Sequence, residues 1–217
     1  FLRELITFAD KGADAFFGLP EFDTADLLRT APDGRGLVSM LELPAVQDRP
    51  ELFSTFLMWL LADLFNDLPE VGDLDKPKLV FFFDEAHLLF KDASKDFLDA
   101  IQQTVRLIRS KGVGVFFVTQ SPKDVPADVL SQLGNRVQHA LRAYTPNEQK
   151  AVKVAAQSFR ANPGLDTFQA ITELGVGEAL VSTLQDKGIP APVQRILVRP
   201  PHSRMGPASP AERQAIM

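Results

Sequence analysis

The chain has 217 residues, 45% of them apolar and 24% charged, with a net charge of −5. That composition belongs to a globular protein and excludes wholesale disorder. The acidic balance supplies no basic surface of the kind that marks a nucleic-acid binder. Cysteine is absent, which excludes disulfides, thiolate catalysis and Cys-held metals. His87, His139 and His202 are too scattered for zinc-ligand spacing. No apolar run is long enough to span a membrane, and no charged-then-apolar leader is visible. The expected location is therefore cytoplasmic.

Phe1 to Phe17 reads as a helix ending at Gly18-Leu19-Pro20, with a helical turn around Asp26-Leu27-Leu28-Arg29. Turn chemistry at Pro32-Asp33-Gly34-Arg35-Gly36 feeds an expected strand over Leu37–Leu43. Pro50 suits a first helical turn, and Glu51 to Leu68 is apolar nearly all round, which predicts a helix buried on most faces. Lys78 to Phe83 is a continuous apolar run ended by Asp84-Glu85, the pattern of a strand covered on both faces. Ser94 to Ser110 has helical spacing, Val115 to Gln120 reads as another buried strand, and Ala127 to Leu133 as a short helix. A third strand is expected over Arg136–Arg142. Thr145-Pro146-Asn147-Glu148 is a capping box opening a helix to about Phe159.

The alternation from Leu37 to Arg142 predicts an α/β layer with a mainly parallel sheet. Beyond it, Asp166 to Leu174 is an expected helix, and Glu178–Leu184 with Val193–Val198 an expected hairpin. From Arg199 the chain becomes Pro-rich, with a second capping box at Ser209-Pro210-Ala211-Glu212. Residues 1–198 are thus expected to form one domain and 199–217 an arm with a short terminal helix.

Asp84-Glu85 carries the sharpest chemistry. Two acids at the carboxyl end of an apolar strand sit where α/β sheets bind ligands. One carboxylate can hold the water shell of a magnesium ion while the other orients or deprotonates an attacking water. The same Asp84 could instead cap the following helix. Gln120 ends the next apolar strand, so neighbouring strands would set it beside the acid pair, where an amide can bond a γ-phosphate and the lytic water. Arg106 and Arg109 near the end of the intervening helix suit the helix dipole or a reach to a neighbouring subunit's nucleotide. Arg136 and Arg142 bracket the third strand, with Asn135 before it. His87 reads as structural, and Gly175-Val176-Gly177 lacks the strand–loop–helix order of a dinucleotide loop. Nowhere does G-x-x-x-x-G-K-[ST] occur, so weak or no ATP binding is expected of these residues alone.

The run from Lys76 through Phe83-Asp84-Glu85-Ala86-His87-Leu88-Leu89-Phe90 resembles the Walker B segment of bacterial HerA-like helicases, in the group known by its HerA-like C-terminal region. Val105-Arg106-Leu107-Ile108-Arg109-Ser110-Lys111-Gly112-Val113-Gly114, Phe117-Val118-Thr119-Gln120, Leu133 to Arg142 and Gly175 to Val181 are similar too. The resemblance implies a RecA-like P-loop NTPase core of the HerA–FtsK branch, truncated on the N-terminal side and continuing past Met217. It implies an ATP-dependent DNA helicase or translocase, hexameric when intact, acting on double-stranded DNA, with any nuclease partner unspecified. By position, Asp84 would carry Mg2+ through water, Glu85 would be the catalytic base and Gln120 the sensor. Arg109 would be an inter-subunit arginine finger and Arg142 a second candidate. Without its phosphate loop the fragment would be inactive and would expose strand edges and an apolar face, so self-association or a substitute partner is expected. The alternative is a non-catalytic assembly module derived from an ATPase domain.

Overall fold

The computed structural model describes residues 23–41, 50–72, 74–90, 93, 95–185, 188–204 and 206–216. The expected helix over Phe1–Phe17 lies outside them. The chain parts into two compact units between Leu133 and Gly134.

The first unit is built on α1 (Pro50–Asp67), β1 (Leu79–Phe83), α2 (His87–Phe90), α3 (Lys95–Leu107), β2 (Val113–Phe117) and α4 (Ala127–Gln132). β1 and β2 pair in parallel, Leu79 opposite Val113 through Phe83 opposite Phe117. Leu57, Leu60, Leu61, Leu64 and Leu68 recur at three- and four-residue steps and are buried, so one stripe of α1 faces the core. Met58 and Trp59 on the same helix remain about two-fifths exposed, at 40% and 41%. The helix is therefore buried on one side rather than on most faces. α3 contributes Phe97 and Ile101, followed by Ile108 in a 3-10 turn, to the same core.

Gly112 ends that turn at φ 76°, where a Cβ would meet Val71 at 3.0 Å. The position needs glycine both for conformation and for space. Next to it, the Lys111 ammonium is buried, donating to the Leu68 carbonyl at 2.7 Å. It lies 4.7 Å from the centre of the Phe65 ring. Lys111 thus satisfies an orphan carbonyl just past the end of α1.

Among the described residues the β1–β2 ribbon is packed on one face and open on the other. Phe83 stacks on Phe117 at 5.5 Å between ring centres, and Leu79, Phe81 and Phe83 pack on the core. On the other face Phe82 and Phe116 stack at 4.7 Å while remaining 67% and 52% exposed. The expectation of two covered faces is corrected accordingly. The expected strand over Leu37–Leu43 also differs: Leu37 to Leu41 form no strand, and Val38 and Met40 are exposed. The local turn uses Ala31 N–H to Arg35 O at 2.7 Å and Leu37 N–H to Arg29 O at 3.1 Å. Those bonds close a tight loop and offer residues 38–41 no ladder to join.

The second unit holds β3 (Arg136–Gln138), α5 (Pro146–Gln157), α6 (Thr167–Glu173), β4 (Glu178–Ser182), β5 (Gln194–Leu197) and α7 (Pro210–Ile216). β4 is central, with β3 and β5 antiparallel on either side. The hairpin is as expected, but β3 joins it rather than running parallel to β2, and it is shorter than Arg136–Arg142. Beyond Gln138 the chain is drawn toward α6, with Leu141 N–H on Ile171 O at 3.2 Å. Val152, Ala155, Ala170, Ile171, Leu174, Leu180 and Val193 form this unit's core. Both capping boxes form, Thr145 with Glu148 and Ser209 with Glu212. Among the described residues no helix is long and apolar enough to cross a membrane.

Candidate active site

The parallel ladder sets the site. Val118 N–H donates to Phe83 O at 2.9 Å, and Ala86 N–H donates to Val118 O at 2.8 Å. Ala86 is fully buried, so the chain is pinned on both sides of Asp84-Glu85. To turn between these anchors Glu85 adopts φ 48°, a left-handed conformation that costs a non-glycine residue about 1–3 kcal/mol. Strain of this kind persists only where its surroundings enforce it.

The turn carries the Glu85 carboxylate across to the end of β2. Gln120 Nε2 donates to Glu85 Oε1 at 2.9 Å. The other oxygen, Oε2, stands 3.2 Å from His87 Nδ1, yet it is buried and has no hydrogen-bond partner among the described residues. Oε2 is closed off on the side of the His87 ring, while Oε1 is held by Gln120. Asp84 is exposed at the same rim, its Oδ1 accepting Glu85 N–H at 2.9 Å. Asp84, Glu85 and Gln120 therefore share one edge of the ribbon, as the sequence predicted.

The arrangement suits a hydrated magnesium ion better than a protein-caged metal. Among the described residues no three His, Asp or Glu side chains converge. Mg2+ keeps several waters and takes one or two carboxylates plus substrate phosphates, which is what an exposed Asp84 beside a second acid provides.

Arg109 is elsewhere. It lies in the 3-10 turn leading into the start of β2, whereas the acids and Gln120 follow the strands' ends. Five residues of strand separate the two rims, about 16 Å at ~3.3 Å per residue. Arg106, near the end of α3, is likewise on the entry side. Arg142 belongs to the second unit, where its guanidinium donates to Thr172 O and, at 3.0 Å, to Leu174 O. It there binds carbonyls at the end of α6. Arg136 donates to Ser158 O, and half-burial pushes its guanidinium below its ordinary pKa. Asn135 accepts Leu184 N–H at 2.9 Å. Gly175-Val176-Gly177 forms the turn into β4, its Gly175 N–H on Glu178 Oε2 at 2.6 Å.

Sequence reasoning sets His87 aside as structural although it touches Glu85, and it misses Thr119 and Asp124, which tie the loop around Gln120. The signal for the last is present: Ser121-Pro122-Lys123-Asp124 has the S-x-x-D spacing of a capping box, and that box forms.

Comparison with known proteins finds helicase relatives and motor-ATPase folds. A probable helicase of Methanocaldococcus jannaschii is 29% identical over 154 residues, covering 66% of this chain and 28% of that protein. The probable DNA double-strand break repair helicase HerA of the same archaeon is 34% identical over 73 residues, 34% of this chain and 13% of its own length. The chain thus spans well under a third of either relative. Among solved structures, the bacterial conjugative coupling protein TrwB superposes with a TM-score of 0.55 at 16% identity, over 83% of this chain and 44% of that one. Its complex with a non-hydrolysable ATP analogue gives 0.52, again at 16% identity, over 82% and 43%. That likeness establishes the RecA-like α/β fold. The profile of the helicase HerA-like C-terminal family matches residues 1–217, and the chain belongs to that family.

Proposed function

We propose that this chain supplies the metal- and water-handling half of an ATP-hydrolysing, HerA-type DNA motor. The observation that carries the reading is the 2.9 Å hydrogen bond from Gln120 to Glu85 across adjacent parallel strand ends, with Asp84 alongside. It sets an acid pair and an amide where a terminal phosphate and its attacking water would meet. Family membership and the TrwB complex with an ATP analogue support ATP as the nucleotide.

Asp84 would hold Mg2+ through its water shell, and the ion would neutralise charge developing on the phosphates. Glu85 accepts the proton of the attacking water, its carboxylate held in place by Gln120 and the neighbouring His87. Gln120 orients that water and the γ-phosphoryl oxygens. Arg109, on the far rim of its own ribbon, is suited to a neighbouring subunit's nucleotide rather than its own. Arg142 would first have to release Thr172 and Leu174. A ring of subunits, a hexamer by family likeness, and double-stranded DNA as the track complete the proposal. The 217 residues contain no G-x-x-x-x-G-K-[ST] run, so the activity is assigned to the protein that joins this chain to such a loop.

The test is Mg2+-dependent ATP hydrolysis by the full-length protein, with and without double-stranded DNA. Asp84→Asn should raise the magnesium concentration needed for half-maximal rate severalfold. An unchanged magnesium requirement would remove Asp84 from the metal site.

A further inference from the structure

The ladder's last bonds hold Val118, two residues short of Gln120. What fixes the intervening backbone is a carboxylate from further along the chain. Asp124 Oδ2 accepts the Thr119 hydroxyl at 2.7 Å and the Ser121 N–H at 3.2 Å. These two donors flank Gln120 directly. Asp124 is itself fixed: it closes the 3-10 turn Pro122–Asp124, whose capping box returns Lys123 N–H to Ser121 Oγ at 3.4 Å. Val125, the next residue, is buried in the first unit's core. One anchored carboxylate therefore grips the loop on both sides of the amide that touches Glu85.

We propose that Asp124, through Thr119 and Ser121, is the positioning residue that holds Gln120 against Glu85. The proposal rests on the reading of Gln120 as the group that orients water and the terminal phosphoryl oxygens. A freely rotating loop would lose backbone entropy worth about 1–2 kcal/mol per residue each time the amide was placed. With the clamp, that ordering is complete on folding. Displacing such a group by an ångström costs rate by up to about a hundredfold, while nucleotide affinity, held elsewhere, is unaffected.

Three variants of the full-length protein separate positioning from mere stability. Thr119→Val keeps the side chain's volume and removes the hydroxyl. Asp124→Ala removes the acceptor oxygen that takes both bonds. Gln120→Ala deletes the amide they position. The steady-state kcat and KM for ATP are measured for each variant and for the two doubles with Gln120→Ala. The expected result is a fall in kcat of about ten- to a hundredfold in each single variant, with KM unchanged. In the doubles no further fall appears beyond that of Gln120→Ala, because non-additivity marks residues acting through one another.

Losses that persist in full on the Gln120→Ala background would overturn the proposal, since they would report loop stability alone. Wild-type kcat in both Thr119→Val and Asp124→Ala, beside a crippled Gln120→Ala, would overturn it too while leaving the role of Gln120 standing. Wild-type kcat in Gln120→Ala would overturn the role of Gln120 and this proposal with it. Thr119→Val alters no charge and no cap, so it reads the clamp even if Asp124→Ala folds poorly.

Discussion

Glu85 combines a left-handed backbone, a donor on one oxygen and none on the other. The strained turn and the Gln120 donor together fix where this carboxylate sits at the rim. Lys111 shows the contrasting case of a charged group buried for structure, with the Leu68 carbonyl at 2.7 Å and Glu70 at 3.5 Å. Lys111→Met should keep the aliphatic packing and strand the carbonyl, lowering stability by about 1–3 kcal/mol. Urea unfolding reads this as a lower midpoint at constant slope; an unmoved midpoint would mean the carbonyl finds water instead. The meeting of Asp84, Glu85 and Gln120 at one rim is legible in the sequence because the acid pair and the amide each follow an apolar strand run. His87 is not, since its value depends on a backbone turn at Glu85 that composition does not reveal.

At the scale of elements, whatever is local is readable. The capping boxes at Thr145 and Ser209 rest on four consecutive residues each, and the helices they open are present. Strand partnership is decided by residues far away in sequence, so local pattern alone makes β3 parallel and too long. The residues past Gln138 are claimed by bonds to α6 that no local pattern announces. The α7 cap yields a pH prediction. The Arg204 guanidinium, with the Ser209 N–H and hydroxyl, holds the Glu212 carboxyl down to about 2 from an ordinary 4.5. A depressed folded-state pKa stabilises fully above the unfolded value and is lost as pH falls through the folded one. The cap should therefore survive mild acid and release only near pH 2. Following the Glu212 carboxyl carbon by NMR checks this, and a midpoint close to 4.5 would contradict it.

For the whole molecule, the continuous run Leu79–Phe83 announces a strand without announcing how many layers cover it. Val80, Phe82, Phe116 and Val118 are at least a third exposed on the open face, a contiguous patch of the kind that soluble monomers seldom leave bare. The 217-residue chain in isolation should bind a hydrophobic dye in its native state. The paired substitution Phe82→Ser and Phe116→Ser should remove much of that signal with helical circular dichroism unchanged. An undiminished signal would place the exposed apolar surface elsewhere.

The central claim is that Glu85 takes a proton from water beside a terminal phosphate. Its most direct test is Glu85→Gln in the full-length protein, with nucleotide affinity and turnover measured on the same preparation. The prediction is ATP bound as tightly as by the wild type and hydrolysis slowed by about a hundredfold or more. Turnover at the wild-type rate with ATP bound would contradict it.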